Sequence, residues 1–169
     1  MTHYGGADLG WSHDYSAVVT LRREPARLVV VRADRLPHGS WGAQIGNILR
    51  ALDGCRGACV DATGMGTLAL EEMRPRSPCP LVGVQFTASS KLEMAQGLVQ
   101  VVRSGRLAVA PDCRGAGNLR AELQRVTVMP TRRGVRISGK AGGGDDVVMA
   151  LALAIHAVRL PAAAWDAVA

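Results

Sequence analysis

Aromatic side chains are scarce in this 169-residue chain: three Trp, two Tyr and one Phe, together 4% of the residues. Aliphatic groups must therefore fill its core. Lysine is nearly missing, present only as Lys91 and Lys140 among 20 basic residues. The positive charge is carried by Arg, which suits bidentate phosphate contacts and which a GC-rich genome also enriches. No apolar run is long enough to cross a bilayer. The longest, Val147 to Val158, is short for a span and contains His156. The start, Met1 to Gly6, lacks the basic residues and apolar run of a secretory leader. The four cysteines, Cys55, Cys59, Cys79 and Cys113, match no paired zinc motif. They read as buried or incidental thiols in a reducing cytosol, with Cys59 in a strand and Cys55 in the turn before it. No G-x-x-x-x-G-K-[ST] phosphate loop occurs, since "GKAGGGDD" has its glycines and lysine in the wrong order. A nucleotide-hydrolysing motor is thereby excluded. A soluble protein of the cytoplasm, with no membrane partner, is expected.

Hydrophobic residues make up 48% of the chain and charged residues 20%, a globular composition. The length suits one domain, 1–169, with its own core. The formal net charge of +6 favours polyanion partners, although a basic surface also serves solubility.

Residues 4–10 read as a short strand with Asp8 inside it. Strands follow at 16–24 and 26–36, and the "EP" turn between them makes an antiparallel meander. Ser40 caps a helix to Leu52, with Trp41, Ile45, Ile48 and Leu49 on one face. Residues 57–64 hold a buried strand ending at Asp61. A short helix over 66–73 is stopped by Pro75, and 81–87 is a strand. Ser89 or Ser90 caps a helix to Arg103 that turns Leu92, Ala95, Leu98, Val99 and Val102 inward, and Gly105 ends it. A short extended piece (106–111) and a helix (118–126) precede a hairpin over 126–138. A Gly-rich loop then leads into a last helix to about Leu160. Three antiparallel strands followed by strand–helix crossovers predict an α/β fold, a mixed sheet with helices on both faces and an appended hairpin.

Carboxylates stand at the ends of these elements: Asp8, Asp61, and the pair Asp145 and Asp146. In a sheet of this order the first and fourth strands can be neighbours, which sets Asp8 beside Asp61. The last helix then brings Asp146 within reach. Two carboxylates about 4 Å apart repel by roughly 4 kcal/mol at an effective dielectric near 20. One or two Mg²⁺ or Mn²⁺ ions, which take hard oxygen ligands, compensate for that. A pair of such ions can activate a water and stabilise the leaving oxygen of a phosphodiester. Each acid has a plainer role open to it: a turn for Asp8, an Asx-turn into "TGMG" for Asp61, a helix cap for Asp145 or Asp146.

Four stretches, in order, resemble the nuclease domain of phage terminase large subunits: "GADLGWSHDYSAVVTL", "CVDATGMGTLALEEM", "SSKLEMAQGLVQVVRSGRLAVAP" and "GGGDDVVMALALAIHAV". The resemblance covers nearly the whole chain. It implies an RNase H-like fold and a two-metal-ion endonuclease that cuts double-stranded DNA, as when concatemeric viral genomes are packaged. It implies metal ligation by Asp8, Asp61 and Asp146, with Asp145 as cap or auxiliary ligand, and Asp14 as the second Asp of the first motif. Related Holliday-junction resolvases carry a second acid where this chain has Met149. Terminases also carry an ATPase domain, which this chain lacks. The implied partners are that ATPase domain, a small terminase subunit and a portal protein, in a bacterial host. Two alternatives stay open: a junction resolvase, and a degenerate domain that only binds nucleic acid.

Other residues take supporting readings. Gly64 and Gly66 permit the turn after Asp61. Arg132, Arg133 and Arg136 on the hairpin, with Lys140 beyond it, are candidates for the DNA backbone. An ordinary solvated hairpin is the equal alternative. Asp14 reads as a loop cap, His13 as a surface residue, and Glu122 as a solvated helix-face residue. His156 lies on a different helical face from Asp146 and takes no catalytic role.

Overall fold

The structure, a computed structural model, describes residues 1–10, 15–131, 134–138 and 144–168, and the backbone alone at 128, 130, 131 and 134–138. Strands β1 (Thr2–Asp8), β2 (Ala17–Arg23) and β3 (Leu28–Arg35) form the antiparallel meander. Helix α1 (Trp41–Ala51) leads to β4 (Cys55–Asp61), then α2 (Gly66–Met73), a 3-10 turn (Arg74–Arg76) and β5 (Leu81–Val84). Helix α3 (Ala88–Arg103), β6 (Leu107–Arg114) and α4 (Ala116–Arg125) follow. The hairpin is β7 (Thr127–Thr131) and β8 (Gly134–Ser138), and the chain closes with α5 (Asp146–Arg159) and α6 (Ala162–Asp166). The main sheet has the order β5-β4-β1-β2-β3-β6, and the hairpin is a separate two-stranded sheet. Strands β4, β5 and β6 join in parallel, β4 directly beside β1. This is the mixed sheet that the strand order predicted.

Strand β1 lies at the centre and its small residues are required there. A Cβ on Gly6 would sit 2.1 Å from the Ala150 carbonyl oxygen, and one on Gly5 would sit 2.2 Å from Leu52 Cδ2. The missing side chains let α5 lie against one face of β1 while the α1 layer closes the other. On one side, Ile45, Ile48, Ala69 and Leu70 pack on Ala7, Val18 and Val60. On the other, Leu151, Ala154 and Ile155 of α5 pack with Val19, Leu98 and Leu119. Helix α5 is covered on nearly every side, which explains why its apolar residues run continuously instead of forming a stripe.

Several boundaries differ from those the sequence predicted. Asp8 terminates β1 instead of interrupting it, because the strand starts at Thr2. Cys55 is the first residue of β4 and not part of the preceding turn. The α3 cap is Thr87, not Ser89 or Ser90. Its extended backbone lets its hydroxyl accept from Ser90 N at 3.1 Å, while Ser90 Oγ accepts from Thr87 N at 2.9 Å. The buried face of that helix is Met94, Ala95, Leu98 and Val101, and Val102 is exposed. Strand β6 is longer than the predicted extended piece because it pairs with β3 along the sheet edge.

Candidate metal centre

Parallel pairing sets the first two acids side by side. Ala7 is opposite Val60, and the next residue of each strand is Asp8 or Asp61. Helix α5 crosses β1 at Gly6, so its N-terminus, with Asp145 and Asp146, arrives at the same sheet edge. Asp61 is buried; Asp8, Asp145 and Asp146 are half-buried.

Glycines shape the edge. Thr63 N donates to Asp61 Oδ1 at 2.8 Å, so Asp61 does form the Asx-turn that was one of its two readings. Gly64 supplies a φ of +55°, and a Cβ on Gly66 would stand 2.4 Å from the Asp61 carbonyl oxygen. A Cβ on Gly144 would stand 2.5 Å from Asp146 Oδ2, so the last glycine of "GGG" makes room for that carboxylate.

The pair at the start of α5 has a more telling arrangement. Asp145 occupies the cap position but its side chain makes no capping hydrogen bond. The N–H groups of Val147 and Val148 donate instead to Glu122 Oε2 of α4, at 2.9 and 3.1 Å. Glu122 is thus no solvated face residue; it is fully buried and caps α5 from a different element. Periodicity on α4 alone gives no sign of a partner three elements further along the chain.

Burial raises the Asp8 carboxyl well above the usual carboxylate range, and the charges of Asp61, Asp146 and Asp145 raise it further, in that order. Burial also raises Asp61, against the opposing pull of Thr63 and Lys91. The Lys91 ammonium lowers both Asp8 and Asp61, and it also faces the Phe86 ring at 5.3 Å. Sequence reading gave Lys91 no role, although its rarity in an Arg-rich chain was a usable signal. Arg35 was missed as well. Its Nη2 lies 2.5 Å from Glu122 Oε1 and 3.9 Å from Asp146 Oδ2.

Among the described residues, no three His, Cys, Asp or Glu side chains form a finished ligand cage. The acids share one edge and one electrostatic field, and their oxygens are of the hard type that divalent cations prefer. The cysteines offer no reactive nucleophile, since burial pushes the Cys55 and Cys59 thiols up to about 12. Met149 is buried among Cys59, Met94 and Leu153 and brings no ligand oxygen. His156 faces Glu93 of α3 at 3.7 Å. Asp14, His13, Arg132, Arg133 and Lys140 lie outside the described residues, as does the Arg136 side chain, whose backbone pairs with Met129. No helix among the described residues is long and apolar enough to cross a membrane.

No protein-family model matches the chain, and neither does any curated protein. Solved structures do match. The large terminase nuclease from thermophilic phage G20c with bound magnesium is 22% identical, with a TM-score of 0.74 over 92% of this chain and 80% of that one. The nuclease domain of the bacteriophage SPP1 large terminase with bound Mn is 13% identical, with a TM-score of 0.68 over 92% of this chain and 86% of that one. A large terminase from another thermophilic bacteriophage, 7% identical, matches with a TM-score of 0.71 over 95% of this chain but 40% of its own. The chain therefore has the RNase H-like fold of terminase nuclease domains.

Proposed function

We propose that this chain is a metal-dependent endonuclease of the large-terminase type, hydrolysing phosphodiester bonds of double-stranded DNA. One observation carries the reading. Two strand-end carboxylates and a helix-start carboxylate meet at one edge, where the first N–H groups of the helix are capped by Glu122 from another element. Four acids gathered at one edge raise the cost of their charges, which a divalent cation would offset. The bound magnesium and Mn of the matched nucleases support a divalent cation.

Asp8, Asp61 and Asp146 would hold Mg²⁺ or Mn²⁺, with Asp145 as auxiliary ligand. Two such ions, when bound, would activate a water and share the negative charge gathering on the phosphate. The chain's own residues orient the ligands. Thr63 fixes one Asp61 oxygen, and Gly144 leaves space for the Asp146 carboxylate. Lys91 offsets part of the repulsion between Asp8 and Asp61. The DNA backbone would be met by Arg132, Arg133, Arg136 and Lys140. Strand β8 runs along α3, and the hairpin precedes α5 in the chain. A terminase ATPase domain, a small subunit and a portal protein are the partners this reading implies, inside a bacterial host, with 1–169 as one nuclease domain.

Plasmid nicking with Mn²⁺, Mg²⁺ or EDTA, beside Asp61→Ala, tests it. Cleavage with either metal, stopped by EDTA and reduced at least about 100-fold by the substitution, is expected, since removing key charge stabilisation alone has that scale. The buried Met149, where related resolvases carry an acid, favours a second reading, a domain that binds DNA without cutting it. Folded protein that retards DNA but never nicks it would select that reading. Faster cutting of four-way junctions than of linear duplex would select a resolvase.

A further inference from the structure

Arg35 stands between two carboxylates, and one of them belongs to the proposed metal centre. It is the last residue of β3, beside the start of α5. The same nitrogen, Nη2, is 2.5 Å from Glu122 Oε1 and 3.9 Å from Asp146 Oδ2. The guanidinium also lies over the Tyr15 ring, 4.9 Å from its centroid. Its Nε is buried with no hydrogen-bond partner among the described residues, so the group is held more by charge and stacking than by a full set of bonds. Glu122 already has the two N–H groups of α5 on Oε2. Glu122 is fully buried, so Arg35 balances its charge, and the same nitrogen also faces Asp146.

We propose that Glu122 holds Arg35 back from Asp146, and that this balance sets how strongly Asp146 draws a divalent cation. Both are positioning residues. The proposal rests on the metal reading above and goes beyond it, because it adds two residues outside the ligand set. Their charges act in opposite senses. The Arg35 cation competes with a metal for Asp146, whereas the Glu122 anion diverts Arg35 and cancels part of its field. Removing the Glu122 charge leaves Arg35 to pair with Asp146 and weakens metal binding. Removing the Arg35 charge removes the competitor and strengthens it. A purely structural role would weaken binding in both cases.

The test is calorimetric titration of the full chain with Mn²⁺, using wild type, Glu122→Gln, Arg35→Met, the double variant and Asp61→Asn as control. Glu122→Gln is expected to weaken binding about tenfold and Arg35→Met to tighten it by a few-fold, with the double variant within about threefold of wild type. Single substitutions that move affinity in the same direction, or not at all, overturn the proposal while leaving the metal reading intact. Wild type that binds no Mn²⁺, like Asp61→Asn, overturns both. If Arg35→Met does not fold, the double variant carries no isolated buried charge and replaces it. Weaker binding by Glu122→Gln than by the double variant then supports the proposal, and equal or tighter binding overturns it.

Discussion

At the residue scale the centre trades stability for chemistry. Asp8 keeps its proton in the folded state to a higher pH than in the unfolded chain, because burial and three neighbouring acids disfavour its charge. The folded state therefore binds more protons across the window between those two values. Metal-free stability must fall as pH rises through that window, starting from the ordinary carboxylate range. Asp8→Asn removes the ionisation. Without metal at pH 7 the variant is expected to melt a few degrees above wild type, at roughly 2–4 °C per kcal/mol for a larger domain. It should also lose the upward shift that Mn²⁺ gives wild type. Thermal melts at pH 5, 7 and 8.5, with and without Mn²⁺, check this; a lower melting temperature for Asp8→Asn in EDTA at pH 7 would contradict it. Asp61 was legible in the sequence as a strand end, Asp145 and Asp146 as a helix start, and Asp8 as an acid within a strand that in fact ends there. Glu122 and Arg35 were not legible. Their meaning depends on α4 and β3 meeting the start of α5, which no local pattern encodes.

At the element scale the decisive fit is α5 on β1. Gly6 leaves the Ala150 carbonyl and Ala154 amide in direct approach to the strand, so a single added methyl group must push backbone aside. Gly6→Ala is expected to lose at least about 1–3 kcal/mol in urea denaturation, the usual scale of overpacking. It should also lower nicking more than its remaining folded fraction explains, because Asp146 moves with the helix. Full activity at unchanged stability would show that α5 is not fixed there. The mixed sheet was legible from the meander and the later crossovers, and they left β1 and β4 free to be neighbours, as they are. The α3 cap and the β6 edge were not legible. Thr87 competes with two serines for one role and wins through its extended backbone. Strand β6 acquires its length only by pairing with β3.

At the scale of the whole molecule, charge is unevenly spread. The net +6 coexists with an edge that gathers four acids, so the proposed DNA substrate would be held by basic groups outside that edge. The hairpin is the candidate holder. Deleting residues 131–134 is expected to weaken DNA cleavage while leaving Mn²⁺ affinity unchanged. The salt slope of DNA binding should fall by about 0.9 for each phosphate that the shortened hairpin leaves unneutralised. Equal loss of metal binding and cleavage, or loss of neither, would remove the hairpin from that role.

A divalent cation among Asp8, Asp61 and Asp146 is what the proposed chemistry depends on. An anomalous difference map from crystals soaked in Mn²⁺ tests it most directly. Density is expected between the ends of β1 and β4 at the start of α5, absent from Asp61→Asn crystals. Density elsewhere, or none at Mn²⁺ concentrations that support nicking, would contradict it.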